Sequence, residues 1–143
     1  MKTKIKGVIL IVLVTCSTYV FAQDVVNSAG DTLVHISSTG VFSDLSDNTT
    51  GEVLSNGEVK NTNGQLIGTI ANNEIKNSAG TVIATLNPVS NNQIQIKNSS
   101  NEVVAILNSG ISITDNSGIP LINSSDSIND LYLLAFYHFF FNN

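Results

Sequence analysis

Residues 57–86 read GEVKNTNGQLIGTIANNEIKNSAGTVIATL, and this stretch contains one short unit written twice. Each copy has an apolar segment, a polar Asn-x-x-Gly turn, and a second apolar segment rich in β-branched residues. Such segments separated by Asn- and Gly-containing turns favour β-hairpins. The stretch therefore predicts two neighbouring hairpins, with a further tight turn between them at Asn72-Asn73.

The same turn recurs along the chain. Its fourth position, here named the Gly slot, is occupied by Gly30, Gly64, Gly80, Asn101 and Gly118. The first spacing is 34 residues, twice the 17 between the last two slots, so a hidden copy is predicted with Asp44 in the Asn position and Asp47 in the Gly slot. Gly, Asn and Asp are the residues that tolerate the left-handed backbone of such turns. Only the spacing of 21 needs extra chain, and we assign it to a loop at 87–91.

Apolar residues stand at fixed distances from each Gly slot, as strands between regular turns require. Five residues before the slot stand Val25, Phe42, Val59, Ile75, Ile96 and Ile113. Three residues after it stand Leu33, Thr50, Ile67, Ile83, Val104 and Leu121. Six residues after it stand Ile36, Val53, Ile70, Leu86, Leu107 and Ser124. The sequence predicts an all-β fold: about six two-stranded hairpin repeats of ~17 residues, in an up-and-down, flower- or barrel-like closed arrangement.

A fourth column consists largely of small residues. Four residues after the slot stand Val34, Gly51, Gly68, Ala84, Ala105 and Ile122. Glycine weakens a strand unless another part of the chain must approach it closely. We therefore predict that this column faces a crowded line where the repeats converge.

The C-terminal segment SINDLYLLAFYHFFFNN, at 127–143, differs from everything before it. Candidate N-caps at Ser125, Asp126 and Ser127, with Asp130 in the first turn, favour a helix. Its residues 131–141 are apolar on all sides except at His138, so the helix must be buried, and it is too short to span a membrane. We predict a helix at the axis of a repeat domain that spans 23–124, with 125–143 packed into the same domain. A thirteenth strand and a membrane-associating tail are the alternatives.

Residues 1–22 have the layout of a secretory signal peptide, with Lys2, Lys4 and Lys6 before the apolar run at 8–14. Cleavage after Ala22 is predicted, and the location is then secreted, periplasmic or at the cell envelope. A membrane anchor is disfavoured because the apolar run is short. Lipid attachment at Cys16 is the other alternative, although no small residue directly precedes this cysteine.

The remaining chain, 23–143, is acidic. It holds three lysines, no arginine and all eleven acidic residues, which gives a side-chain charge of −8. Nucleic-acid binding needs cationic side chains against phosphates, so this class of partner is excluded, and anionic membranes are disfavoured for the same reason. There is no cysteine after residue 16, so disulfides cannot stabilise the domain.

Few residues could carry chemistry. His35 and His138 are the only histidines, which leaves a zinc cluster unsupported, and His138 is interpreted as a hydrogen-bonded histidine of the core or helix end. The segment 112–118 lacks the alternating carboxylates and the closing Glu of a calcium loop. We predict no metal and no cofactor.

The carboxylates Glu58, Glu74 and Glu102 could form an acid pair for hydrolysis. However, polar residues alternating along a solvated strand face explain them without catalysis. A Ser-His-Asp set has no supporting motif either, since there is no Gly-x-Ser-x-Gly turn around a nucleophile. We therefore predict that the protein is not an enzyme and has no catalytic residues.

The units within 50–86 together with the Phe-rich C-terminus resemble the 4-fold β-flower proteins, which are secreted bacterial proteins of short hairpins around an axis. The resemblance covers about 50–141 and rests on the pattern V-x-[ND]-x-x-G-x-x-I-G-x-I. The copies at 24–36 and 41–53 depart from this pattern, so they are either regular repeats or an irregular lead-in. FAQ at 21–23 also resembles cleavage sites of secreted Bacteroidetes proteins. The resemblance implies no activity and no catalytic residues.

Two classes of function remain. The first is a secreted structural or interaction module of the bacterial cell envelope, whose protein or glycan partner the sequence does not identify. The alternative is a ligand-binding module that takes glycans on a rim of Asn- and Ser-rich loops. Most of the asparagines lie in predicted turns, where they have a conformational role.

Overall fold

The computed structural model of the chain describes residues 22–142, in which twelve antiparallel strands form a closed barrel. Each strand pairs with its neighbours in the chain, and β1 closes the barrel against β12, with Val25 opposite Ser124. This confirms the predicted all-β arrangement of six hairpins, to which 24–36 and 41–53 contribute as regular members. The strands are β1 Gln23–Asn27, β2 Thr32–Ile36, β3 Val41–Ser43, β4 Thr49–Val53, β5 Glu58–Asn61, β6 Leu66–Ala71, β7 Glu74–Asn77, β8 Val82–Ser90, β9 Gln93–Asn98, β10 Val103–Asn108, β11 Ser112–Thr114 and β12 Pro120–Ser124.

The predicted signal peptide, 1–22, lies outside the described residues except for Ala22, which is exposed. Strand β1 begins at the next residue, Gln23.

Six turns of one geometry form one end of the barrel, which we name the Asx end. In the turn at 61–65, the Asn61 side-chain oxygen accepts hydrogen bonds from the backbone N–H groups of Asn63 and Gln65, at 3.0 and 3.1 Å. The same pair of bonds is made in the other five turns, which begin at Asn27, Asp44, Asn77, Asn98 and Asp115.

The Gly slots of these turns are left-handed. Asp47 and Asn101 have φ angles of 61° and 62°, close to the 73° of Gly64. This confirms the hidden copy predicted at 44–47. Asp and Asn can occupy the slot because their short polar side chains tolerate this backbone conformation better than other non-glycine residues do.

The opposite end of the barrel is formed by turns at 37–41, 54–58, 71–74, 90–93 and 108–112. The prediction of a tight turn at Asn72-Asn73 is confirmed, since both residues have positive φ, 54° and 61°. Two consecutive left-handed residues are the signature of a type I′ hairpin turn.

The prediction of a loop at 87–91 is wrong. Strand β8 continues through Ser90 and pairs with β9, with Pro88 opposite Ile94. The extra residues therefore lengthen a hairpin instead of forming a loop, and residues 87–90 are exposed. Pro88 lies next to a register irregularity between Pro88 and Ser90, and bulges are among the places where a sheet tolerates proline.

Two of the three predicted apolar columns line the barrel interior. The column five residues before the Gly slot is fully buried, and the column six after it is buried except at Leu86 and Ser124, which are half-buried. The column three after the slot is only partly buried, and Val104 is 41% exposed. These residues lie in β-bulges. In β6, for example, Leu66 pairs with Lys60 and Gly68 pairs with Val59, so Ile67 is an extra residue without a partner on β5. A bulge interrupts the regular alternation of inward and outward side chains.

The C-terminal segment is helical and lies within the barrel, so the thirteenth strand is ruled out. Helix α1, Asp130–Phe136, continues as a π-helix over Tyr137–Phe141. Leu133 and Ala135 are fully buried, as expected for a helix that is apolar on all sides. Among residues 22–142, no helix has the length and apolar composition needed to cross a membrane.

The start of the helix differs from the prediction. The N-cap is Asn129, whose side chain accepts from the N–H of Leu131, and not Ser125, Asp126 or Ser127. The Asp130 carboxylate accepts hydrogen bonds from Ser109 Oγ and from the N–H of Gly110, each at 2.6 Å. The first residue of the helix, Asp130, thus makes a tertiary contact with the turn at 108–112.

The small-residue column faces the helix, which confirms the crowded line. A Cβ added to Gly51 would lie 2.5 Å from a ring carbon of Phe140, and a Cβ added to Gly68 would overlap the Phe139 ring and the carbonyl oxygen of Lys76. These two strands contain glycine because an aromatic ring and a backbone carbonyl occupy the space of a side chain.

Replacing Gly57 and Gly64 by alanine should separate steric from conformational cost. Both have positive φ, 89° and 73°, so alanine at either position would be strained in a left-handed conformation. This strain should lower the free energy of unfolding by about 1 kcal/mol or more. Only at Gly57 would the new Cβ overlap the carbonyl oxygen of Ile70, while Gly64 has nothing within 4 Å. We expect Gly57→Ala to lower the free energy of unfolding in urea by at least ~1 kcal/mol more than Gly64→Ala. Equal losses would contradict the close approach between hairpins at this end.

Candidate functional site

Exposed apolar side chains are concentrated at the Asx end. Of the eight large hydrophobic residues that are exposed within the described chain, only Val89 and Ile111 lie at the opposite end. The other six lie at the Asx end, five of them in or next to its turns and Phe141 at the end of the π-helix, and we name them the apolar rim: Leu45, Leu66, Val82, Val104, Ile119 and Phe141. Each of the first five belongs to a different hairpin, in its Asx turn or within two residues after it. The rim is therefore a property of the whole barrel end and not of one loop.

A cavity of about 310 Å³ opens at this end, beside the last turn of the π-helix. Its aromatic wall comprises Phe136, Phe140 and Phe141, and the rings of Phe136 and Phe140 are stacked 6.5 Å apart with 6° between their planes. Leu33 and Val34 of β2 complete the apolar lining. Two polar residues, Asp44 and Thr50, also line the cavity. A volume near 300 Å³ matches the lower end of small-molecule sites.

Asp44 provides a fixed negative charge at this cavity. The Asn48 side chain, followed by the backbone N–H groups of Asn48 and Ser46, holds the pKa of Asp44 below its ordinary value of 3.8, because these donors stabilise the carboxylate form. Its Oδ1 accepts both backbone bonds at 2.9 Å, and Oδ2 accepts from Asn48 Nδ2 at 3.0 Å. Within residues 22–142, Asp44 is the one charged residue that lines the cavity.

The carboxylates considered for catalysis do not come together. Glu58 and Glu74 lie on β5 and β7 with β6 between them, and each is nearest the lysine two residues on, with Nζ–Oε2 distances of 3.9 Å to Lys60 and 2.7 Å to Lys76. Glu102 lies in an Asx turn, where it accepts from Asn98 Nδ2 at 2.9 Å. These positions fit the interpretation of a solvated strand face.

The two histidines are also separate. His35 lies on β2, and its Nδ1 is 2.6 Å from Asp24 Oδ1 on the adjacent strand β1. His138 lies in the π-helix. Its Nδ1 is shielded from solvent and has no hydrogen-bond partner among the described residues, so the predicted hydrogen bond is wrong at this nitrogen. Across residues 22–142, no three His, Cys, Asp or Glu side chains are grouped as metal ligands.

His138 should make stability fall in mild acid. Burial lowers the pKa of His138 below 6.5 in the fold. Below pH 6.5 the unfolded chain therefore binds this proton more readily, and the free energy of unfolding drops as the pH falls from 6.5 towards 5. The slope should be less than ~1.4 kcal/mol per pH unit, the limit for one group, because His138 is only partly buried. Urea unfolding at several pH values should show this slope, and His138→Leu should reduce it; an unchanged slope would contradict the argument.

The asparagines of the Asx turns are already engaged. Asn61 and Asn98 use their side-chain oxygens for the turn and donate their amide N–H₂ to Gln65 and Glu102. Asn27 does the same with Asp31. These side chains therefore have the conformational role that the sequence indicated, and fewer of their donors and acceptors point to an outside ligand.

Comparison of the chain with family models, with curated proteins and with solved structures gives no match. The resemblance to the 4-fold β-flower proteins therefore stays a prediction.

Sequence reasoning missed the apolar rim and the cavity. The rim had a signal, because Leu66, Val82 and Ile119 follow their Gly slots by only one or two residues, where turns are usually polar. The cavity had none, since its lining joins β2, the 44–48 turn and the last helix, and only the fold brings them together.

Proposed function

We propose that this protein is a non-enzymatic interaction module of the bacterial cell envelope that binds a partner through the Asx end of the barrel. The observation that carries the proposal is the apolar rim, which places six of the eight exposed large hydrophobic residues around one end. Exposed apolar surface gathered in one place is typical of interaction sites, whereas scattered single residues are not.

The architecture supports a scaffold role. The barrel interior is filled by the helix and by the strand side chains, so the space inside serves packing. The outer wall is polar. Glu52 on β4 lies opposite Lys60 on β5, and Thr69 on β6 lies opposite Lys76 on β7. A rigid, closed barrel holds the six turns at fixed positions, which suits recognition by preorganised surfaces.

Between a protein partner and a glycan, the rim favours a protein. Glycan sites rely on polar groups together with aromatic platforms, and the turn asparagines are largely engaged in their own hydrogen bonds. Aliphatic residues such as Leu66, Val82 and Ile119 instead fit the apolar centre of a protein interface. Export to the envelope rests on the signal peptide predicted at 1–22.

Site-specific photo-crosslinking tests the proposal in the cell of origin. A photoreactive phenylalanine analogue would replace Leu66 or Ile119 at the Asx end, and in matched controls Val89 or Ile111 at the opposite end. Ile119 and Ile111 are equally exposed, 59% and 60%, so exposure alone cannot explain a difference in crosslinking between them. We expect a discrete adduct from the Asx-end positions, in the envelope or secreted fraction, and none from the controls. Equal yields at both ends, or no adduct from either, would contradict the proposal.

A further inference from the structure

We infer that the cavity at the Asx end is a binding site for a small organic cation with an apolar body, such as an arylalkyl ammonium compound. The inference rests on the proposed function in one respect, namely that this end of the barrel is the binding end. It adds the chemical class of the group that enters the cavity.

The aromatic wall provides the first part of the recognition. Phe136, Phe140 and Phe141 contribute three rings, with Phe136 and Phe141 centroids 6.3 Å apart and their planes inclined by 36°. Ring faces attract cations as well as apolar groups, because the quadrupole of each ring is negative at its face. Phe141 is 38% exposed although it is a large aromatic residue at the end of a buried helix, which leaves part of its surface available.

The Asp44 carboxylate provides the second part. It belongs to an otherwise uncharged lining, and its hydrogen bonds favour the ionised form. A carboxylate in the lining of an apolar cavity attracts a cation and repels an anion. Thr50 adds a hydroxyl that can accept from an ammonium N–H.

The negative charge is not needed for the turn. The same position holds Asn27, Asn61, Asn77 and Asn98 in four other Asx turns, which make the same two backbone hydrogen bonds through an amide oxygen. Asp44→Asn therefore removes the charge while the turn is expected to remain. Asp115→Asn is the matched control, since it makes the same change in a turn that does not line the cavity.

The test is a titration of the full chain followed by NMR chemical shifts. The probes are the cation benzylammonium, the neutral benzyl alcohol and the anionic phenylacetate. We expect saturable binding of the cation, with shifts centred on Phe141, Leu33 and Thr50, and at least about tenfold weaker binding of the other two probes. Asp44→Asn should weaken cation binding about tenfold, and Asp115→Asn should leave it unchanged.

A second variant keeps the test independent of the turn. Phe141→Leu retains an apolar side chain but removes an aromatic ring. It should weaken binding of the cation without strengthening binding of the alcohol. Equal binding of all three probes, or equal effects of the two Asp→Asn variants, would overturn the inference. If the cation does not bind but Leu66 and Ile119 still crosslink to a partner, only this inference fails. If the cation binds but no crosslinks form, only the proposed protein interface fails.

Discussion

A chain that ends after Asp130 should not fold, although all twelve strands remain in it. The segment 131–141 fills the barrel with five buried large side chains: Leu133, Leu134, Phe136, Tyr137 and Phe139. Each contributes about 1.5–3 kcal/mol on burial, so together they are comparable to the net stability of ~5–15 kcal/mol of a whole domain. We expect residues 23–130 to give an unfolded or aggregating product, as judged by circular dichroism and size-exclusion chromatography.

The control for this truncation is a chain that ends after Phe141, which lacks only Asn142 and Asn143. It should unfold at the same urea concentration as the full chain, since Asn142 is exposed. If residues 23–130 instead remained monomeric, β-rich and cooperatively folded, the helix would not be the core of the barrel. A tail that seeks a membrane or a partner would then become the better interpretation of 131–141.

Gly68→Leu should be among the most destabilising single substitutions in the protein. Its side chain would enter the space of the Phe139 ring and of the Lys76 carbonyl, and neither the packed ring nor the paired backbone of β7 can move freely. Overpacking in a close-packed interior costs ~1–3 kcal/mol and occasionally more, and we expect the upper end of this range. The measurement is the free energy of unfolding in urea.

A double-mutant cycle with Phe139→Ala shows which contact is responsible. Phe139→Ala alone should cost ~3–5 kcal/mol, because it leaves a cavity in the barrel. In the Gly68→Leu background the same truncation should cost at least 1 kcal/mol less, since the new leucine takes part of the space of the ring. Strictly additive losses would show that the two residues are not in contact, which would contradict the position of the helix.

The hairpins could be predicted because their determinants are local. An Asn or Asp that bonds its own turn, followed by a residue that tolerates positive φ, forms a complete signal within five residues. This is why the copy at 44–47 could be recognised although both of its key positions, Asp44 and Asp47, depart from the consensus. The spacing of buried residues then follows from the alternation of side chains along a strand.

Errors arose where distant contacts decide the local structure. The segment 87–91 has the composition of a loop, but its pairing with β9 makes it a strand. The helix begins at Asp130, whose carboxylate binds the turn at 108–112, and nothing in the sequence of 125–131 indicates this partner. In the π-helical end, Tyr137–Phe141, the rings of Phe139 and Phe140 likewise lie against glycines of distant strands.

The candidate site depended on the fold to a greater degree. The apolar rim could have been found from the aliphatic residues that follow the Gly slots. The cavity could not, because Leu33, Asp44 and Phe141 are separated by up to 108 residues in the chain, and only closure of the barrel around the helix brings them together.

The most direct test of this account is a nuclear Overhauser spectrum of residues 23–143. If the helix lies within the closed barrel, the ring protons of Phe139 should show cross-peaks to the Hα protons of Gly68, and those of Phe140 to the Hα protons of Gly51. Both glycine signals should also be displaced by the ring currents of the nearby aromatic rings. Sharp aromatic signals from 136–141 at random-coil positions, without these cross-peaks, would contradict the account.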